Sequence, residues 1–413
     1  MPTGRGWAAF GSGIGLWVAA RLMGSPDLHM VAVGVFVLPL LAALFVQWNR
    51  LRLDVRRQVS PNRVFPDAPV TVTLTVQNHG PGTVPFLLLE DALPPGLARP
   101  ARVVVGGVPA RNDQLVSYRL IPRLRGQYSL GPTSMWITDP FGLARIKIES
   151  AAPGRLVVYP RVEDVPASEM AIRGAGRGDS KARELHRSAA EFYTMREYVL
   201  GDDLRRIHWP SVARTQKLMI RQDEATRRSA ATIVLDNRAV TLGPVGSPGF
   251  ERAVSVAASI GRSLAAAGFA LHFAAIDSPS EAVSEERLLE ILSALDHSRQ
   301  RDMTGALATL RGRSVADSSL LLVAAPPVAS EVEALVRAGT RFGGKTAVLV
   351  YPAHRLDVRP EAAAEMEGRA KAARARLQQA RWLVCTIEMG EGIAEAWNKT
   401  GKTRVRARVA SSF

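Results

Sequence analysis

Three patterns of apolar and polar positions succeed one another along the 413 residues. The first is a pair of long uncharged runs. Residues 30–46 carry no charge and are nearly all apolar, and with Leu28 and Trp48 at the ends a helix here spans about 30 Å of hydrocarbon. Residues 7–20 are uncharged too, with Arg21 placed to reach an interface, and Gly24, Ser25, Pro26 and Asp27 form a tight connection. The pattern predicts a transmembrane helical hairpin within residues 1–50, with spans at about 7–23 and 28–48. No small-residue cleavage site marks the first run as a removable signal peptide.

The second pattern has period two. Residues 70–76 read Val-Thr-Val-Thr-Leu-Thr-Val, which buries one face of a strand and wets the other. Turn residues at Asn78, Gly80, Pro81 and Gly82, then at Pro94, Pro95 and Gly96, then at Gly106 and Gly107, separate further short β-rich runs. This spacing predicts an immunoglobulin-like β-sandwich over residues 51–165.

The third pattern alternates short apolar strands with helical periodicity. Strands are expected at 232–235, 269–276, 320–324, 347–351 and 382–387. Between them Phe250, Ala253, Val254, Ala257, Ile260 and Leu264 recur at helical spacing, and further helices are expected at 284–295, 330–341 and 361–380. Such alternation predicts an α/β doubly wound, mostly parallel sheet over residues 229–398, with its ligand edge at the carboxyl ends of the strands. Residues 166–228 form a connector and residues 399–413 a basic tail.

Charge refines the picture. There are 53 Lys and Arg against 38 Asp and Glu, a formal net charge of +15. One dense run, Arg50, Arg52, Arg56 and Arg57, follows the second apolar stretch, and Lys399, Lys402, Arg404, Arg406 and Arg408 close the chain. No recognition motif with interleaved aromatics accompanies the charge, so nucleic acid is not an expected partner. Positive residues stay on the cytoplasmic side of a bilayer. The expected localisation is therefore the cell membrane, multi-pass with two spans and a cytoplasmic body. The lone Cys385 permits neither an internal disulfide nor a cysteine zinc site.

Chemical motifs are sparse. Gly339-Thr-Arg-Phe-Gly-Gly-Lys-Thr346 satisfies the phosphate-loop pattern, but a helix is expected before it and a strand after it, the reverse of what phosphate binding needs. No two histidines stand at i, i+4 as in a helical zinc site, and no Gly-x-Ser-x-Gly elbow occurs. The densest constellation is Arg196-Glu197-Tyr198, then Gly201-Asp202-Asp203-Leu204-Arg205-Arg206-Ile207-His208-Trp209, then Ala213-Arg214. Gly201 turns the chain, Asp202 caps a short helix, and Leu204 with Ile207 is expected to bury one side. Trp209 is expected to pack inside, and residues 217–221 suit an edge strand.

These residues carry a resemblance. Together with Arg125-Gly126-Gln127-Tyr128-Ser129-Leu130-Gly131-Pro132 and Asp139-Pro140-Phe141-Gly142-Leu143, they resemble the domain-of-unknown-function-58 family, membrane-anchored proteins associated with AAA+ ATPases of the MoxR type. The resemblance implies a von Willebrand factor A-like domain after the motif. Such domains often hold a divalent metal through Asp-x-Ser-x-Ser after the first strand. Here the matching residues are Asp236, Asn237, Arg238, Ala239 and Val240, so both serines are missing and an arginine stands at one of their positions. A guanidinium beside Asp236 neutralises the carboxylate, and no metal or other cofactor is expected.

The expected function is a membrane-tethered, non-catalytic adaptor or scaffold. Its expected partners are a MoxR-type AAA+ ATPase or its clients, the lipid bilayer, and other membrane proteins. Two alternatives stand beside it: an enzyme with its site around Asp202, Asp203 and His208, and a metal-dependent protein-ligand binder of the von Willebrand factor A type.

Overall fold

The computed structural model describes residues 2–50, 53–165, 193–199, 204, 207–223, 230–309, 318–352 and 359–399. The chain divides into two compact units, Met1–Arg161 and Val162–Phe413.

The first unit begins with two helices, α1 (Gly4–Met23) and α2 (Pro26–Arg50). Thr3 caps α1 by accepting from the Gly6 amide, and Gly24 ends it in the left-handed conformation that glycine adopts without strain. The helices pack side by side with Gly13 at the crossing, where an added Cβ would lie 2.8 Å from the Phe36 backbone nitrogen. Phe10 and Phe36 meet alongside, with ring centroids 4.5 Å apart.

The two-span localisation is corrected by this structure. Among the described residues one helix, Pro26–Trp48, is long and apolar enough to cross a membrane. The other helix carries Gly4, Gly6, Gly11, Gly13 and Gly15 together with Arg5 and Arg21. Small residues favour close helix approach, but they supply little of the apolar surface that makes insertion favourable.

Ten strands follow: β1 (Leu53–Ser60), β2 (Arg63–Val64), β3 (Val70–Asn78), β4 (Val84–Asp91), β5 (Ala101–Val108), β6 (Asp113–Leu120), β7 (Gly126–Leu130), β8 (Thr133–Thr138), β9 (Arg145–Ser150) and β10 (Gly154–Val158). They form three sheets, β1-β3-β6, β2-β10-β7 and β5-β4-β8-β9, with every pairing antiparallel except β2 with β10. Strand β3 alternates buried and half-buried residues along its whole length, as its sequence requires. Val72 and Leu74 of β3, Leu87 and Leu89 of β4, Met135 and Ile137 of β8 and Leu156 of β10 share one apolar core. Ala42 and Val46 of α2 belong to the same core, so this helix is seated on the β domain.

A buried ionic network crosses that core. Arg57 donates to the carbonyls of Leu130 and Ala152, each at 2.5 Å, to the Thr133 hydroxyl at 2.8 Å, and to the Asp91 carboxylate. Tyr118 donates its hydroxyl to the other Asp91 oxygen. The position of the arginine run from Arg50 to Arg57 predicts one charged membrane flank, but the structure separates its members: Arg56 is solvent-exposed beside Asp54, whereas the Arg57 side chain is fully buried.

The second unit has a two-stranded antiparallel pair, β11 (Tyr193–Glu197) and β12 (Met219–Asp223), with α3 (Trp209–Thr215) between them in the chain. Beyond it lie β13 (Ala230–Leu235), α4 (Ala239–Leu242), α5 (Pro248–Ala266), β14 (Ala270–Ala275), β15 (Ser278–Val283), α6 (Glu285–Ala294), α7 (Thr304–Thr309), β16 (Ser318–Ala324), α8 (Ala329–Gly339), β17 (Gly344–Val350), α9 (Pro360–Gln379) and β18 (Leu383–Ile387). The six-stranded sheet runs β15-β14-β13-β16-β17-β18 and is parallel except for β15. Strand β15 escaped the sequence reading because its residues, Ser-Pro-Ser-Glu-Ala-Val, form an exposed edge with no apolar alternation.

Residues 162–165 lie along α5. The Glu163 amide donates to Ser259 Oγ at 2.9 Å, and the Val165 carbonyl accepts from Ser263 Oγ at 2.7 Å. The phosphate-loop lookalike is a helix-to-strand connection. Gly339 ends α8 against the Trp382 ring, where an added Cβ would come within 2.5 Å, and Lys345 Nζ donates to the Ala380 carbonyl at 3.0 Å.

Candidate functional site

The sheet order reverses between β13 and β16, and in doubly wound sheets the crevice at the carboxyl ends of such strands is where ligands bind. Here the crevice is filled by the chain itself. Asp236 follows β13 with no solvent exposure, and Arg238, two residues on, is 1% exposed. Arg238 Nε donates to Asp236 Oδ1 at 2.8 Å and Nη2 to Oδ2 at 2.9 Å, a two-point pairing. Its remaining nitrogen, Nη1, donates to Glu331 Oε1 at 2.5 Å and to the Arg301 carbonyl at 2.9 Å.

The carboxylates are further engaged. Asp236 Oδ1 also accepts from the Arg238 amide at 3.1 Å, and Oδ2 accepts from Thr241 Oγ1 at 3.1 Å. Glu331 Oε2 accepts from the Val328 amide at 3.2 Å, closing the first turn of α8. Burial pulls the Arg238 guanidinium downward, but hydrogen bonds and charge from Asp236, then from Glu331, outweigh it and hold the group above the ordinary arginine range. Neighbouring Asn237 ties the surrounding loops by donating to Asp277 Oδ1 and the Asp296 carbonyl, each at 3.0 Å, and by accepting from the Ile276 amide at 3.1 Å.

This arrangement does not fit a divalent cation. The acidic residue that would ligate it already has both oxygens paired to a fixed positive charge, and an arginine replaces the first missing serine. The other, Val240, is exposed and offers no oxygen from its side chain. Among the described residues no group of three or more His, Cys, Asp or Glu side chains is placed to hold a metal ion. Sequence reasoning paired Asp236 with Arg238 but passed over Glu331. The available signal was its position three residues after Val328, where a glutamate reaches back to the start of a helix.

The signature constellation forms a second, exposed feature. Gly201, Asp202, Asp203, Arg205 and Arg206 lie outside the described residues, as do residues 166–192 of the connector and 400–413 of the tail. Arg196 pairs in register with Ile220 on β12, and Glu197 receives Lys217 Nζ at 2.5 Å on the surface. The Tyr198 amide donates to the Leu218 carbonyl at 2.8 Å, and the His208 amide donates to the Met219 carbonyl at 2.9 Å. Ile207 bridges to Ile220, so a short stretch of the motif flanks β12 on the side opposite β11. His208 Nδ1 meets Ser211 Oγ at 2.9 Å, and Arg214 sits exposed in the last turn of α3.

Two packing expectations fail here. Trp209 is 66% exposed and Leu204 60% exposed, with Ile207 half-buried, so neither Trp209 nor the Leu204 side anchors an interior. The physical reason is scale. A two-stranded pair and a seven-residue helix with no buried residue cannot enclose side chains of that size. Val199 and Leu218 are exposed as well, leaving four large apolar side chains outward in and beside the motif.

Residues 194–350 match the family model described as protein of unknown function DUF58, so the chain carries a DUF58-family domain over that span. The chain is 24% identical over 230 residues to the uncharacterized protein YeaD of Bacillus subtilis (strain 168), covering 54% of this chain; it spans about half the length of that relative, 55%. Among solved structures, a CARDB domain from Pyrococcus furiosus aligns at 15% identity and a TM-score of 0.19, covering 26% of this chain and 94% of that one. A complex of zinc α2-glycoprotein with prolactin-inducible protein from human seminal plasma aligns at 12% identity and a TM-score of 0.20, covering 25% of this chain and 92% of that one. Likeness at that level fixes neither fold nor function.

Proposed function

We propose that this protein is a membrane-tethered, non-catalytic adaptor that uses its signature constellation to engage a MoxR-type AAA+ ATPase or that machine's clients. The tether is α2, a single span. The observation that carries the reading is the set of outward apolar side chains Val199, Leu204, Trp209 and Leu218, of which Trp209 opens α3 and Val199 and Leu218 flank the β11–β12 pair. Exposed aromatic and aliphatic side chains within one short motif, together with the exposed charges Glu197, Lys217 and Arg214, mark a surface that binds protein. The internal pairing of Asp236, Arg238 and Glu331 supports a scaffold over a metal-dependent binder, because the groups that would contact a metal-bridged ligand are consumed. The alternation of strands and helices, with Asp236 ending the first strand of the parallel sheet, supports reading this sheet as von Willebrand factor A-like. The shared core of three small sheets supports an immunoglobulin-like reading of the β domain.

The test is cross-linking of the full chain in its native membranes, followed by mass spectrometry, for wild type and Trp209→Ala. The exposed ring makes the substitution nearly neutral for folding, within about 0.5 kcal/mol, while capture of the ATPase falls. A Trp209→Ala, Leu218→Ala double variant that melts normally and retains every wild-type partner overturns the proposal.

A further inference from the structure

The loop between β8 and β9, residues 139–144, carries an exposed aromatic on a rigid support. Asp139 is buried and organises the loop: its carboxylate accepts from the Phe141 amide at 2.9 Å and from the Ala144 amide at 2.5 Å, and its carbonyl accepts from the Gly142 amide at 3.0 Å. Gly142, at φ +70°, supplies the left-handed residue that completes the turn. Phe141 projects from this turn and is 65% exposed. A rigid loop that holds a phenyl ring in water loses the favourable burial of that ring, so a partner surface is expected to cover it.

The loop is fastened to the start of α1. The Thr3 amide donates to the Leu143 carbonyl at 2.8 Å and the Thr3 hydroxyl to the Gly142 carbonyl at 2.6 Å, while Gly6 leaves room for that same Leu143 carbonyl. Helix α2 packs against β8 and β9, and its Ala42 and Val46 join Leu143 and Ala144 in the β-domain core. On the other side of these same turns Leu40, Leu41, Leu44 and Phe45 face outward. At 1.5 Å per residue the stretch from Leu40 to Val46 covers about 9 Å of helix. If the outward side of that stretch is immersed in lipid, the β-domain surface receiving its inward side stands at the bilayer surface. Nearby positive charges suit such a position: Arg5 is exposed, exposed Arg145 holds its guanidinium 4.2 Å from the Trp136 ring centroid, and exposed Lys147 pairs with Glu149 at 2.5 Å, a solvent-facing pair of little net strength that a lipid phosphate can join. Trp7 and Trp48 are also exposed near the ends of the helices that meet the β domain.

We propose that the 139–144 loop is an interfacial membrane contact, with Phe141 inserted among the headgroups and upper acyl chains of an anionic phospholipid leaflet and with Arg5, Arg145 and Lys147 against its phosphates. The contact would fix the β domain on the bilayer surface instead of leaving it free on its tether. This inference rests on the reading of α2 as a membrane span.

The experiment uses the full chain reconstituted in vesicles of phosphatidylcholine and phosphatidylglycerol, with a nitrobenzoxadiazole label on Phe141→Cys. Cys385 is buried and stays unlabelled in the folded protein. Leu44→Cys on α2 and Val104→Cys on β5, the edge strand farthest from β9, are labelled for comparison. A lipid nitroxide placed shallowly in the acyl chain is expected to quench the labels at 141 and 44, with blue-shifted emission, and to leave 104 bright. Quenching at 44 but water-like emission at 141 overturns the interfacial contact and leaves the tether standing. No quenching at 44 overturns the tether and this inference with it. With Arg145→Glu and Lys147→Glu combined, quenching at 141 should fall in the anionic vesicles; unchanged quenching there overturns the assignment of these side chains to lipid phosphates.

Discussion

Arg238 lies edge-on against Asp236, with Nε 2.8 Å from one carboxylate oxygen and Nη2 2.9 Å from the other, and neither side chain is more than 1% exposed. The positive charge at the carboxyl edge of this sheet is thus supplied by the protein, only two residues from the carboxylate it neutralises. Glu331, from the first turn of α8, completes the group and joins the ends of β13 and β16.

Breaking that group is expected to destabilise the α/β domain strongly. Arg238→Ala leaves two buried carboxylates without a counter-charge and should cost about 3–5 kcal/mol, read as a lowered midpoint in urea unfolding. Arg238→Lys should recover part of the loss, because an ammonium keeps the charge but cannot make the two-point pairing while also reaching Glu331. A melting temperature unchanged in Arg238→Ala would mean that the pair contributes nothing to holding the strand ends.

Magnesium should find no site at Asp236. Calorimetry on the reconstituted full chain is expected to show no saturable heat on addition of Mg²⁺, and a chelator should leave its thermal melting unchanged. Saturable binding that disappears in Asp236→Ala would show that Arg238 can be displaced and that the crevice is a metal site after all.

In the β domain, Tyr118 gives a pH-dependent signature. Burial, then its hydrogen bond to Asp91, raises the phenol well above its ordinary value. As pH climbs through about 10, the unfolded chain releases this proton while the folded chain keeps it, so this contribution to stability declines. Tyr118→Phe should be less stable than wild type near pH 8, by about 1–3 kcal/mol for the acceptor left unpaired, and the gap should narrow above pH 10. Denaturant unfolding at a series of pH values measures it; a gap that widens on the alkaline side contradicts the assignment.

The same network should not tolerate loss of its cation. Arg57→Ala is expected to cost about 3–5 kcal/mol, because Asp91 would remain buried without its counter-charge. The exposed Arg56→Ala should change stability by no more than about 0.5 kcal/mol. Equal effects in the two variants would return Arg57 to the membrane-flanking role suggested by its position in the sequence.

What the sequence determined by itself is what local periodicity can specify. The alternation in residues 70–76 dictated a strand with one buried face, and β3 has it. The recurrence of Phe250, Ala253, Val254, Ala257, Ile260 and Leu264 dictated the helix that buries them in α5. Strands alternating with helices dictated a mostly parallel sheet, because a crossover helix is the short way to bring the next strand in alongside the last. The pairing of Asp236 with Arg238 was legible because the two stand two positions apart and the family resemblance implies a serine ligand where Arg238 stands.

Only the tertiary structure decided what lay between distant positions. Arg57 finds Asp91 34 residues away and Arg238 finds Glu331 93 residues away, and no repeat in the sequence encodes either meeting. An arginine run looks the same whether its members meet water, lipid or a buried carboxylate, since that choice depends on which strand carries each side chain inward. Trp209 likewise reads as a core residue from its chemistry, yet the small element bearing it has no interior to offer. Side-chain type sets how favourable burial would be, but only the packed chain determines whether anything is there to bury against.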